Sequence, residues 1–207
     1  MRDARSIHRW LLLIATAAAF GGVSNARALD TARRTGTGAG PVEHITAAAV
    51  IPSSVGLPPT TIGLEITIER WSTDVERDRL VEALKSRRAN TLLDALRGLP
   101  AVGHIATATS AGWSLRFAQT RSLDDGGRQV LVASDRPSTS DGTSRSRGDT
   151  DYPVSLADIR FEKDGTGTGT LAHAANLTYE KKTGTITIDN YGGGPVRLTN
   201  VRSTPAR

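Results

Sequence analysis

The chain contains no cysteine. That excludes a disulfide framework, a thiolate nucleophile and any Cys-ligated metal. An exported domain built this way is held by its core alone, which fits a bacterial envelope better than a small disulfide-stapled module. Aromatic residues are scarce, with three each of Trp, Tyr and Phe among 207 residues, so the core must come from Val, Ile, Leu and Ala. Lysine is confined to Lys85, Lys163, Lys181 and Lys182, and every other base is Arg. We read that bias as GC-rich coding rather than phosphate binding. A chain of this length supports one domain with an extra segment and a self-sufficient core.

No apolar run reaches the roughly 20 residues a membrane-spanning helix needs. The longest runs from Trp10 to Val23, behind Arg2, Arg5 and Arg9 and ahead of Ala26-Arg27-Ala28. Charged, then apolar, then A-x-A is the order of a cleavable export signal, and the expected cut follows Ala28. No Cys follows the run, so a lipoprotein is excluded, and the lack of a preceding Arg-Arg speaks against the twin-arginine route. The chain carries 26 basic and 21 acidic side chains, a net +5. Residues 1–28 hold four Arg and one Asp, so the remainder is left at +2. Nucleic-acid binding needs a concentrated basic face, and so weak a charge excludes that partner.

The expected organisation is a signal peptide at 1–28, a Gly/Thr/Pro-rich tether at 29–60, one globular domain at 61–203 and a tail at 204–207. Thr35 to Pro41 is flexible in composition, and Pro52, Pro58 and Pro59 break regular structure nearby; Ala47–Ile51 is at most a short strand. From Ile62 to Ile68, apolar residues alternate with Gly63, Glu65 and Thr67, the period of a half-buried strand. Thr73 and Glu76 have capping-box spacing. Leu80, Val81 and Leu84, then Leu92, Leu93 and Leu96, give two short helices that end near Gly98 and Pro100.

Further strands are expected at 102–107, 113–119, 128–134, 155–163, 169–179, 185–190 and 196–202. Trp113, Leu115 and Phe117 should share one face, with Ser114, Arg116 and Ala118 on the other. Val130 to Ala133 is apolar on both faces, the pattern of a central strand. Asp124–Gly127 and Lys181–Gly184 are hairpin connections, and Asn190-Tyr191 before Gly192–Pro195 reads as another. The alternating Gly165–Thr170 run lacks the spacing and Lys of a P-loop and reads as a turn leading into a strand. The fold class is therefore α+β: mostly antiparallel β, sandwich or barrel-like, with a helical pair inserted after the first strand.

Short motifs in the folded part carry a resemblance: Gly127-Arg128 before an apolar strand, Ser134–Pro137, Asp151-Tyr152-Pro153, and Asn190-Tyr191 with Pro195–Leu198. In these the chain resembles a group of uncharacterised exported bacterial proteins with no assigned activity, over about two thirds of its length. The resemblance implies export and a shared domain, and no chemistry.

Candidate sites are few. His104 and His173 on expected strands, with Asp135 or Asp158, are residue types that bind zinc, but no His pair has ligand spacing; His44 falls in the tether. Metal and cofactor are therefore expected to be none. No Ser lies in a G-x-S-x-G elbow. Of the carboxylates that glycoside hydrolysis would need in pairs, Asp124-Asp125 reads as a turn, Asp149 and Asp151 flank a loop, and Glu65 and Glu69 keep a strand face soluble. The long polar segment Pro137–Asp151 is bracketed by Asp135-Arg136-Pro137 and Asp151-Tyr152-Pro153. Turn chemistry, with Asp135 or Asp151 pairing Arg136, explains these residues; the functional alternative is a ligand rim of Arg136, Asp151 and Tyr152. The expected function is a non-catalytic periplasmic or secreted domain that binds an envelope protein or glycan. The alternatives are an extracytoplasmic hydrolase assembled from dispersed residues, or a β-barrel carrier with an apolar cavity lined by Trp113, Phe117 and Leu131.

Overall fold

A computed structural model describes residues 8–13, 42–51, 58–86, 91–108, 110–135, 154–180, 185–190 and 195–205. In chain order the strands and helices are β1 (His8–Leu13), β2 (Glu43–Ile51), β3 (Thr60–Ile68), α1 (Asp74–Lys85), α2 (Thr91–Arg97), β4 (Gly103–Thr107), β5 (Ser110–Leu115), β6 (Phe117–Ser122), β7 (Arg128–Ser134), β8 (Val154–Phe161), β9 (Thr166–Glu180), β10 (Thr185–Asn190) and β11 (Val196–Pro205). The architecture is mostly antiparallel β with a helical pair, as expected.

The strands run in the order β5-β4-β3-β2-β11-β9-β8-β7-β6. The sheet curls until its ends meet, because β5 and β6 are one stretch of chain bent at Arg116. Its first half pairs with β4 and its second half with β7. The Arg116 amide donates to the Ala133 carbonyl at 2.9 Å, and the Ser134 hydroxyl donates to the Ser114 carbonyl at 2.9 Å, stitching the seam. The result is a nearly closed barrel.

The bend corrects the expected shared face of Trp113, Leu115 and Phe117. Trp113 and Leu115 pack in the barrel interior, whereas Phe117 points outward and Ala118 replaces it inside. One residue out of step at a bend exchanges the two faces of everything after it.

Residues 43–51, expected in the tether, form β2. Glu43, Ile45, Ala47 and Ala49 alternate inward, and β2 pairs with both β3 and β11. The short strand the sequence offers at Ala47–Ile51 is its second half; the alanines, a type depleted in strands, fit a crowded interior, and Glu43–Thr46 extends the strand beyond that reading. The expected tail at 204–207 also begins too early, because β11 runs to Pro205.

Asn190 and Val196 do not bracket a hairpin. Asn190 pairs with Ala175 and Val196 with Leu171, so β10 and β11 lie in line along one edge of β9; Tyr191 lies outside the described residues. β1 falls in the segment expected to be the signal and pairs with β10 alone, off the barrel path.

Two apolar clusters result. The inner one fills the barrel with residues such as Ile45, Ile66, Ile68, Ile105, Val130, Ile159, Phe161 and Leu198. The outer one lies between the helices and the β6–β9 wall, joining Leu80, Leu93 and Leu96 to Phe117, Ala133, Leu156 and Ala172. The Thr73 hydroxyl accepts from the Glu76 amide at 3.2 Å, and the Glu76 carboxylate accepts from the Thr73 amide at 2.8 Å. This is the capping box the sequence announced. Glu76 also takes a two-pronged contact from Arg70 at 2.8 and 3.0 Å, which holds its carboxyl down at about 2.

The Gly-Thr run is the start of β9, with Thr168 and Thr170 outward and Gly167 inward. A Cβ at Gly167 would lie 2.9 Å from the Phe161 ring. The missing side chain makes room for that ring, and the Arg128 guanidinium lies 4.4 Å from its centroid. Arg128 reaches across the interior to the buried Glu43, donating at 3.1 Å to one carboxylate oxygen and closely to the other, and to Ser203 at 2.9 Å. The buried Glu43 carboxylate is thus paired and hydrogen-bonded at both oxygens, the condition under which a charge is tolerated inside. In the β6–β7 hairpin Gly126 takes φ +80°, a conformation suited to Gly.

Candidate functional site

On the outside of the β6–β9 wall, strand register arranges side chains in rows. One row, Phe117–Ala133–Leu156–Ala172, lies beneath the helices. The next is Gln119–Leu131–Asp158–Thr170, and the next Arg121–Gln129–Arg160–Thr168. Where the helical cover stops, the wall carries an open depression of about 300 Å³ lined by Arg121, Leu123, Gln129, Asp158, Arg160, Thr168, Gly169 and Thr170.

A chain of hydrogen bonds crosses it. Arg121 Nε donates to Gln129 Oε1 at 2.6 Å, and Gln129 Nε2 donates to Asp158 Oδ1 at 2.5 Å. Burial pushes the Asp158 carboxyl above the usual carboxylate range, against the Gln129 hydrogen bond and the Arg121 charge. Arg160 forms a close ion pair with Asp125 in the β6–β7 turn. The Gly127 amide, ahead of Arg160, holds the Asp125 carboxyl low. The depression can therefore accept hydrogen bonds at Asp158, donate them from two guanidinium groups, and do both at Thr168 and Thr170.

The sequence-derived candidates fall elsewhere. Arg136, Asp151 and Tyr152 lie outside the described residues, as does Asp149. Asp135 ends β7 with its Oδ1 3.4 Å from Arg116 Nε, so this carboxylate serves the barrel seam. His104 is exposed on β4, and β9, which carries His173, is separated from it by β3, β2 and β11. His104 therefore shares no site with that strand. His44 Nε2 lies 3.9 Å from Glu65 on the outer face. Among the described residues no group of three or more His, Asp or Glu is placed to hold a metal ion. Trp113 belongs to the inner cluster while Phe117 and Leu131 belong to the outer one, so the apolar cavity these three were expected to line is not formed.

Of the residues around the depression, the sequence singles out Asp158, for zinc rather than for this grouping, and the run holding Thr168, Gly169 and Thr170, read as a turn leading into a strand. Arg121, Gln129 and Arg160 carry no such signal. The usable signal was outward parity on four strands, which needs the pairing register to be read. No family model, no curated protein and no solved structure matches the chain.

Proposed function

We propose that the chain is an exported, non-catalytic binding domain of the bacterial envelope, related to the exported proteins whose motifs it resembles. The observation that carries this reading is the dispersal of reactive groups. Three strands, β3, β2 and β11, separate His104 from the strand that carries His173, and the Asp135 carboxylate is taken up by Arg116, whereas a hydrolase needs nucleophile, base and orienting group in one place. The carrier reading loses its support with the division of Trp113 from Phe117 and Leu131. Export is compatible with the fold because β1 pairs only with β10. Removing residues 1–28 would leave the pairing of the barrel strands intact.

The test is to produce the full chain in a Gram-negative bacterium, separate envelope from cytosol and sequence the N-terminus. The expected product begins at Leu29 in the envelope fraction. Intact Met1 in the cytosol would overturn the export reading. Incubated with purified peptidoglycan, the protein should leave the polymer uncleaved; release of soluble fragments would overturn the non-catalytic reading.

A further inference from the structure

The inference concerns the depression on the β6–β9 wall and rests on the binding-domain reading above. Its lining has three properties that together narrow the chemistry of an occupant. First, seven of the eight lining residues are polar or Gly, and Leu123 is the one apolar side chain. A lipid or other apolar ligand would cover these polar groups and take from them the hydrogen bonds they make to water.

Second, the charges are mixed. An anion entering the depression meets Asp158, and a cation meets Arg121 and Arg160. Arg160 is paired with Asp125, and the Arg121 charge acts on Asp158 through the Gln129 bridge, so the two guanidinium charges are balanced by two carboxylates. The chemistry favours a neutral, hydroxyl-rich molecule, each of whose hydroxyls can donate to Asp158 or a Thr and accept from an Arg, the Gln129 amide or a Thr.

Third, the side chains are pre-placed on strands. Arg121 faces Gln129, Gln129 faces Arg160, Arg160 faces Thr168, and Asp158 faces Thr170 across adjacent strands. Neighbouring strands lie about 4.8 Å apart, so donors and acceptors recur in fixed rows across the wall. The Arg121–Gln129–Asp158 hydrogen bonds lock the acceptor in place before any ligand arrives, which lowers the ordering cost of binding. The volume is at the small end of ligand pockets, and the depression is open, so one end of a longer chain fits while the remainder extends into solvent.

We propose that this depression binds a neutral saccharide, with Asp158 and Thr170 as the central hydrogen-bonding pair and Arg121, Gln129, Arg160 and Thr168 around them. Among its described residues the lining holds no aromatic ring for stacking, so affinity comes from hydrogen bonds and stays in the range of weak, exchangeable glycan binding.

The test uses the full chain, labelled with ¹⁵N and titrated with N,N′-diacetylchitobiose, maltose and mannobiose to high millimolar concentration, with digalacturonate as the anionic comparison. The expected result is saturable movement of amide signals at 119–131, 156–160 and 168–170 with at least one neutral disaccharide. Asp158→Asn and Thr170→Val should each raise the Kd at least tenfold without lowering the melting temperature by more than a few degrees. Should Asp158→Asn fail to fold, Thr170→Val carries the test, since it keeps the β-branched shape.

No saturable response to any of the three neutral sugars would overturn the proposal. So would a response to digalacturonate alone that salt abolishes, which would mark an anion patch. Saturable shifts on another face, unchanged in both variants, would remove this site while leaving the binding-domain reading standing. Cytosolic protein with Met1 intact would remove the envelope reading without touching the titration.

Discussion

The two walls of the barrel are built to different rules. On β3, Leu64, Ile66 and Ile68 face in while Gly63, Glu65 and Thr67 face solvent or its edge, so one side carries all the burial. On β7, Val130 and Val132 face in, while Leu131 and Ala133 join the cluster beneath the helices. The second wall is covered twice, and its sequence is accordingly apolar without alternation. The candidate site lies on that wall, just past the end of the cover. A sheet fixed from both sides can hold polar side chains in set positions, the condition for a preorganised binding surface.

Substitutions can break this comparison, beginning with the largest expected effect. Phe161→Ala removes an inner-cluster ring that is 1% exposed, and with it the support for Arg128. A loss of about 3–5 kcal/mol in urea unfolding is expected, felt equally by both walls because the interior is shared. Leu96→Ala in the outer cluster should cost about 2–4 kcal/mol. Its loss should raise hydrogen exchange in α1 and α2 before it does so in β3, since the helices touch only one wall. Gly167→Ala forces the Phe161 ring aside and should cost about 1–3 kcal/mol by overpacking, visible as a lower urea midpoint with an unchanged slope.

Glu76→Gln should cost about 1–2 kcal/mol, discounted from the full shift because Arg70 is partly solvent-screened. Because the folded carboxyl titrates at about 2, below its ordinary 4.5, its stabilisation is complete above the ordinary value. It is lost as pH falls toward about 2, so the wild-type advantage over the variant should vanish across that window. Asp158→Asn is the smallest expected effect and has the opposite sign. Burial raises this carboxyl, so its charged form opposes folding as pH rises through the ordinary carboxylate range. At neutral pH the Asn variant should be as stable as the parent or more so. A large loss would mean that Asp158 supports the fold rather than a ligand.

Local signals were legible. Thr73 and Glu76 announced the first helix, Asp124–Gly127 the β6–β7 hairpin, and Arg128–Ser134 a strand buried on both faces, because each depends on residues a few positions apart. The missing information was long-range. The bend at Arg116 places Phe117 outside through a seam with Ala133 and Ser134, and nothing near Phe117 in sequence reports it. Only the second half of β2, Ala47–Ile51, was legible as a short strand, and its extension to Glu43 comes from pairing with β3 and β11. The depression depends on three registers at once, so Arg121 and Arg160 look like ordinary surface residues.

Native-state hydrogen exchange across a denaturant series tests the difference between the walls most directly. Double cover predicts that the amides of Leu131, Val132 and Ile159 exchange only through global unfolding, while those of His104 and Trp113 open at lower free energy. Equal protection of both walls, or earlier opening of β7 and β8, would contradict the doubly covered wall as the frame on which the site is held.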